Sequence, residues 1–420
     1  MTSASGAPRP GLLAAFAVRG YRFQYSSDLL VAWAIEIEVI VLAWYVLVAT
    51  DSPFLVALLG ALRFLGTLIS PFLGAFADRV PRRALLSVIR AVFACLGSAL
   101  LILAVADAMA PWAAFVAVSV AGLLRPADMM LRQSLIADVV PRAVLTNAMG
   151  FFRMTIDSSR MFGALAGAGM LSVLGIAATY GLVATLYVMS LALLLIAGRR
   201  VQTSTTTAKG SAGLRETWEQ LKAGWTLACE RPAIWYLLWL AFVVNVTVLS
   251  ITGGMLPVVA RDTFGMGAGG LGILAATFAG GALVGSTLVA TWLRGVAPEY
   301  LMWRFAVVWH VLMALFAAVG DPTTGTLFLG AIGIVSSLVM VPMSSALLLT
   351  TPEAYRGRIM GLRQLAVFGL PLGLLLGGTL TEWLGVQSAL LLYGALGAVV
   401  CSILFWLRTR AAPQDNLPVP

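Results

Sequence analysis

Arg125, Asp128 and Arg132 stand at i, i+3 and i+7 inside one largely apolar stretch, and Arg153, Asp157 and Arg160 at i, i+4 and i+7 inside the next. On an α-helix each spacing forms one stripe, so each helix presents an Arg-Asp-Arg ladder. Glu36 and Glu38 lie in an earlier apolar stretch, two residues and roughly 200° apart, so they cannot both face one point. An ionisable group at the centre of a membrane costs about 2.5–3.5 kcal/mol or more, which marks such residues as functional candidates. Three kinds of chemistry suit the set. A carboxylate beside an arginine is protonated or ion-paired according to which side water reaches, and Glu36, Glu38, Asp128 and Asp157 are the candidates for such proton coupling. Arginines also grip anionic ligand groups, with Arg125 and Arg160 as candidates. The third role is structural: the ladders lock two helices together near an interface where arginine can snorkel, which suits Arg132 and Arg153 best.

These residues need long apolar helices to hold them. Hydrophobic residues make up 60% of the 420, charged residues 11%, and mean hydropathy is +0.96. A soluble domain carries about a quarter charged residues, so the composition excludes that class and indicates an all-α membrane protein. The 42 glycines suit close helix packing in lipid. Apolar runs near twenty residues predict twelve transmembrane helices: 29–50, 54–77, 84–106, 111–132, 145–169, 176–198, 233–256, 269–293, 301–320, 324–349, 359–381 and 385–407. The polar, arginine-bearing residues before them do not resemble a removable signal segment.

Arginine and lysine concentrate in alternate loops. Arg82 and Arg83, Arg142, the 199–232 connection, Arg356 and Arg358, and Arg408 and Arg410 share one side with Arg9, Arg19 and Arg22, whereas Asp51, Asp107, Asp321 and Glu382 face the other with Arg261 as their one cation. That asymmetry places both termini in the cytoplasm, explains the net charge of +9 and argues against a nucleic-acid partner. The expected organisation is a cytoplasmic segment 1–28, a six-helix bundle 29–198, a cytoplasmic linker 199–232, a second six-helix bundle 233–407 and a tail 408–420. Within the linker, Leu214, Trp218, Leu221 and Trp225 have the spacing of an amphipathic helix. The halves echo each other. Pro141, Ala143, Met149 and Gly150 recur as Pro352, Ala354, Met360 and Gly361 at a constant offset of 211, and Gly163-xxx-Gly167 recurs as Gly373-xxx-Gly377. Two such pseudo-symmetric bundles enclosing a central site are a recurrent transporter architecture.

The run Gly74-Ala75-Phe76-Ala77-Asp78-Arg79-Val80-Pro81-Arg82-Arg83 resembles the loop signature G-x-x-x-D-R-x-x-R-R of the major facilitator superfamily, with Pro81 where a glycine is usual. Arg356-Gly357-Arg358 is similar to a second element of that superfamily, and with the glycine-rich fifth span the chain resembles its drug- and siderophore-exporter branch, which includes enterobactin- and macrolide-efflux-like proteins. The resemblance implies the major-facilitator fold, a bacterial inner-membrane location and a monomer. It also implies a conformational latch of Gly74, Asp78, Arg79, Arg82 and Arg83, with Asp138 as partner of Arg79 or Arg83, and a cavity lined by spans one, four, seven and ten. Trp33, Met129 and Asn245 are the cavity candidates on those spans. Asn245 needs partners for its amide, and Gly253, Gly254 and Pro257 after it allow the helix to bend. His310, the one histidine, suits a packed and hydrogen-bonded role better than a proton relay.

The expected function is export of a small amphipathic molecule (drug, siderophore or metabolite) by alternating access with proton antiport. The alternative is symport of an organic anion or lysophospholipid transport, towards which the excess of intraspan arginines points. No HExxH, GxSxG or metal-spaced cluster is present, and Cys95, Cys229 and Cys401 lie far apart, so neither an enzyme, a metal nor a cofactor is indicated.

Overall fold

Apolar stretches opened by proline become helices in the computed structural model, which describes residues 13–67, 80–198, 214–293 and 295–411. Pro53, Pro111, Pro232, Pro298 and Pro322 each occupy the first turn of a helix, where a missing N–H breaks no hydrogen bond. The membrane helices are α1 (Arg19–Thr50), α2 (Pro53–Thr67), α3 (Arg82–Val105), α4 (Pro111–Val139), α5 (142–174), α6 (176–198), α7 (Pro232–Thr263), α8 (Ala268–Thr291), α9 (Pro298–Phe316), α10 (Pro322–Thr350), α11 (Arg356–Leu384) and α12 (Val386–Ala411). Ten described helices are long and apolar enough to cross a membrane; one of these is α5 and α6 joined at Gly175, and the shorter α2 completes twelve. The chain is an all-α, multi-pass membrane protein with no strand among its described residues.

The expected duplication has backbone counterparts. Gly175 (φ 77°) turns α5 into α6 and Gly385 (φ 83°) turns α11 into α12, at an offset of 210; both are left-handed positions that favour glycine. Asp51 and Gly265 take positive φ at the ends of α1 and α7. Asp321 caps α10 by accepting hydrogen bonds from the Thr324 N–H (2.7 Å) and hydroxyl (2.9 Å), which hold its carboxyl below the usual range.

Small residues let the helices meet at backbone distance. A Cβ on Gly281 of α8 would collide with the Gly330 backbone of α10, and one on Gly373 of α11 with the Val246 carbonyl of α7. Between the halves, Gly378 of α11 lies on Phe54 and Ala57 of α2, and Gly272 of α8 on Ala164 and Ala168 of α5. At the Asp51 end Arg261 of α7 pairs with Asp51 (2.8 Å) and donates to the Leu47 carbonyl (3.2 Å). Glu382 of α11 accepts hydrogen bonds from the Ser52 hydroxyl and from the Phe54 N–H (3.2 Å), capping α2 across the halves.

Two expectations change. The boundary at residue 28 cuts through α1, which begins at Arg19. Upstream of it, Ala15 N–H donates to Asn147 and Tyr21 OH to the Ala148 carbonyl, so this segment is fastened to the α4–α5 corner. Apolar-run counting starts the helix late because its buried first turns carry Gln24, Ser27 and Asp28. Secondly, Asp138 pairs with Arg82 (3.2 Å) rather than with Arg83, which donates to the Leu194 carbonyl (3.2 Å). The Arg82–Asp138 pair lies wholly within the first half and therefore does not clasp the two halves. Gly74, Asp78 and Arg79 lie outside the described residues, as does 199–213 of the linker. The amphipathic linker helix is present as Leu214–Glu230 and packs against the bundle on α11 and α7, with Gly224 against Arg358 and Trp225 edge-on to Trp235.

Candidate functional site

The ladder on α4 does not lock α4 to α5. It divides between two clusters. The first gathers Asp28 of α1, Arg90 of α3, Asp128 and Arg132 of α4 and Ser190 of α6, all buried. Arg90 bridges Asp28 (2.7 Å) and Asp128 (3.1 Å), donates to the Ser27 carbonyl (3.0 Å) and bonds the Ser190 hydroxyl. Arg132 pairs with Asp128 one turn away, and Gln24 donates to both oxygens of Asp28 (3.1 Å each). Two carboxylates and two guanidiniums sum to zero and satisfy one another, so this cluster bolts four helices of the first half together. Asp128, a proton-coupling candidate by sequence, is thus ion-paired with both Arg90 and Arg132.

The second cluster lies nearer the middle of the molecule. Glu36 pairs with Arg125 (3.3 Å), and Gly163 of α5 gives Glu36 room against that helix. Glu38, on the other side of α1, is buried and accepts a hydrogen bond from Tyr187 of α6 (2.7 Å). Arg63 enters from a break in α2, where Leu62 ends the regular helix. It is pinned there because Gly66 and Gly122 bring α2 and α4 into backbone contact. Glu36, Glu38, Arg63, Arg125 and Arg160 lie within electrostatic reach of one another through Arg63. Glu38, Arg63 and Arg125 line a cleft with about 60 Å³ of room for water-sized molecules, walled by Ile35, Leu42, Leu59, Phe93 and Val118 and by Gly253 and Gly254 of the second half.

The remaining candidates fall outside this cleft. Asp157 pairs with Arg153 (3.0 Å) one turn along α5, both substantially exposed. Trp33 stacks on Phe162 (6.0 Å between centroids) with its indole N–H unpaired, and Met129 is exposed. Asn245 is buried and donates to the Ala241 carbonyl (2.7 Å), opening the first of three π-helical segments of α7. The bend expected near Gly253 and Gly254 thus takes the form of π turns, a feature common at functional sites. His310 is fully buried between Thr247 (2.7 Å) and the Ala306 carbonyl (2.7 Å), the packed role its isolation suggests. Sequence reasoning did not single out Asp28 or Tyr187, and it counted Arg63 and Arg90 only among the intraspan arginines, without a role of their own.

Residues 29–370 match the family model "Major Facilitator Superfamily". The chain belongs to this superfamily. It is 25% identical over 341 residues to YfiS of Bacillus subtilis (strain 168), an uncharacterised MFS-type transporter, covering 78% of each chain. Its fold is similar to a bacterial homologue of the human lysosomal transporter Spinster in an inward-facing, unoccupied conformation (TM-score 0.74, 13% identity, 99% of this chain and 100% of that one). A POT family transporter in complex with 5-aminolevulinic acid (0.72, 12%, 98% and 99%) and the nucleoside transporter NupG (0.71, 13%, 92% and 98%) share it. As a major-facilitator transporter the chain moves a molecule across a membrane.

Proposed function

We propose that this protein is a proton-coupled secondary transporter of a small amphipathic molecule, with Glu38 carrying the proton. One observation supports this above the others: Glu38 lines the cleft and is hydrogen-bonded to Tyr187 within the first half. A carboxylate so placed meets cargo on one side and a protein hydroxyl on the other. The apolar walls suit the body of an amphipathic cargo. Resemblance to the drug and siderophore exporters favours export by antiport, from a monomer in a bacterial inner membrane with the Arg82 end and both termini cytoplasmic. The halves then meet on the outer side, through Asp51, Ser52 and Glu382.

Symport of an organic anion is a second reading with an observation of its own, since the central cluster sets Arg63, Arg125 and Arg160 against Glu36 and Glu38. Proteoliposomes carrying a pH gradient separate the senses. An acidic lumen drives ethidium inward by antiport, and an acidic exterior drives 2-naphthoate inward by symport. Glu38→Gln is expected to remove the gradient dependence in either case. Gradient-driven flux of equal size in that variant refutes the role of Glu38.

A further inference from the structure

Arg63 differs from the ion-paired arginines around it. Arg90 and Arg132 are held by Asp28 and Asp128, and Arg125 by Glu36. Among the described residues no carboxylate comes within ion-pairing distance of Arg63, and its buried Nε has no hydrogen-bond partner. Glu38 is close enough to be felt, but its Oε2 is engaged by Tyr187. An idle buried donor on a half-buried guanidinium is costly, and a ligand that accepts a hydrogen bond there removes that cost.

Its position suits a ligand. Arg63 lines the cleft together with Leu59 and Gly60 of α2, Phe93 of α3, Val118 of α4 and Gly253 and Gly254 of α7. Those glycines leave the second half's wall without side chains at that level. A fork of N–H donors matches the two oxygens of a carboxylate or the face of a phosphate, and Arg125 stands in the same cleft with only a 3.3 Å hold on Glu36.

We propose that Arg63 is the anion-binding residue of the cleft, and that the cargo is an organic anion whose carboxylate or phosphate docks on it while its apolar body lies along Ile35, Leu42, Leu59 and Phe93. This rests on the cleft being the transport path, and it names the charge class of the cargo. Negative cargo on Arg63 and a negative Glu38 compete for one cation, so cargo and proton enter the cleft together, and the second sense of coupling given above follows.

Equilibrium binding to the full chain in lipid nanodiscs, with no gradient, tests the site separately from the coupling. The probes are 2-naphthoate, its uncharged amide 2-naphthamide and the cation 2-naphthylmethylammonium, with methyl phosphate as competitor to distinguish a phosphate-preferring site. Wild type is expected to bind the carboxylate at least about tenfold more tightly than either analogue, the value of one charge-assisted contact. Arg63→Gln is expected to abolish that preference and Arg63→Lys to keep part of it. Arg304→Gln, which removes an equal charge from an exposed site in the second half, is expected to keep all of it. Equal binding of the three probes, binding of none, or an anion preference that survives Arg63→Gln overturns the proposal. Anion selectivity lost with Arg63 but unaccompanied by gradient-driven flux leaves the site standing and refutes the proton coupling.

Discussion

Removing Glu382 should loosen the closure at the Asp51 end. Its Oε1 accepts the Ser52 hydroxyl and the Phe54 N–H, two donors at the start of α2 in the other half. The α2 N-terminus also presents the positive end of its dipole, which favours a carboxylate there. Capping contacts of this kind are worth about 0.5–2 kcal/mol, and exposure of the pair to solvent puts this one near the middle of that range or below. About 1 kcal/mol corresponds to about a fivefold shift between closed and open populations. Glu382→Ala should therefore raise the open fraction about fivefold. Glu382→Gln keeps a carbonyl acceptor but loses the charge, so it should fall between Ala and wild type.

Spin labels on cysteines introduced at Ala108 of the α3–α4 loop and Thr323 at the start of α10 report the separation of the halves at that end. Both sites are exposed, and Cys95, Cys229 and Cys401 are first replaced by serine or alanine. Growth of a longer-distance population in the order wild type, Gln, Ala is the expected result. A distance distribution that stays the same in both variants refutes the cap as part of the gate and leaves Gly378 and Arg261 to hold the halves.

Other contacts give further tests. Arg90→Met leaves Asp28 and Asp128 short of their shared partner in a buried site, and thermal unfolding in detergent should show a loss of about 3–5 kcal/mol. Substituting Arg82 or Asp138 should cost less than about 1 kcal/mol, because the side chains are 33% and 40% exposed. Neither should alter the spin-label distances, since the pair lies in one half; a shift would show that it acts between halves. Gly373→Val puts a side chain onto the Val246 carbonyl and should force α7 and α11 apart, lowering the unfolding temperature far more than Gly181→Val, where no atom lies within 4 Å of the added Cβ.

Twelve helices, their pairing into like halves and the membrane setting were legible because each is written in properties local to a segment: apolar length, prolines at starts, glycine at turns. The central site was legible only as a list of charges. Helical spacing showed correctly that Arg125, Asp128 and Arg132 share a stripe, yet a stripe about ten ångströms long spans more than one environment. Its upper residue meets Glu36 and the cleft, while its lower residues meet Asp28 and Arg90 in the bundle interior. Which environment applies depends on where the neighbouring helices begin. That was the step hidden from apolar-run counting, because α1 starts ten residues before its continuous apolar run.

Starting α1 at Arg19 brings Asp28 into the membrane, and with it the sorting of the charges changes. Asp28 and Asp128 account for Arg90 and Arg132, leaving the first cluster neutral. Glu36 accounts for Arg125, and Asp157 for Arg153. What remains around the cleft is Glu38, which has a hydroxyl for a partner, and Arg63 and the more exposed Arg160, which have no ion pair among the described residues. A transporter must bind cargo in one state and release it in the other, so its working charges are those the fold leaves incompletely satisfied, while fully paired charges hold the bundle rigid around them. By that criterion Glu38 and Arg63 are the working residues we propose, and the paired charges of the ladders are the frame proposed to hold them.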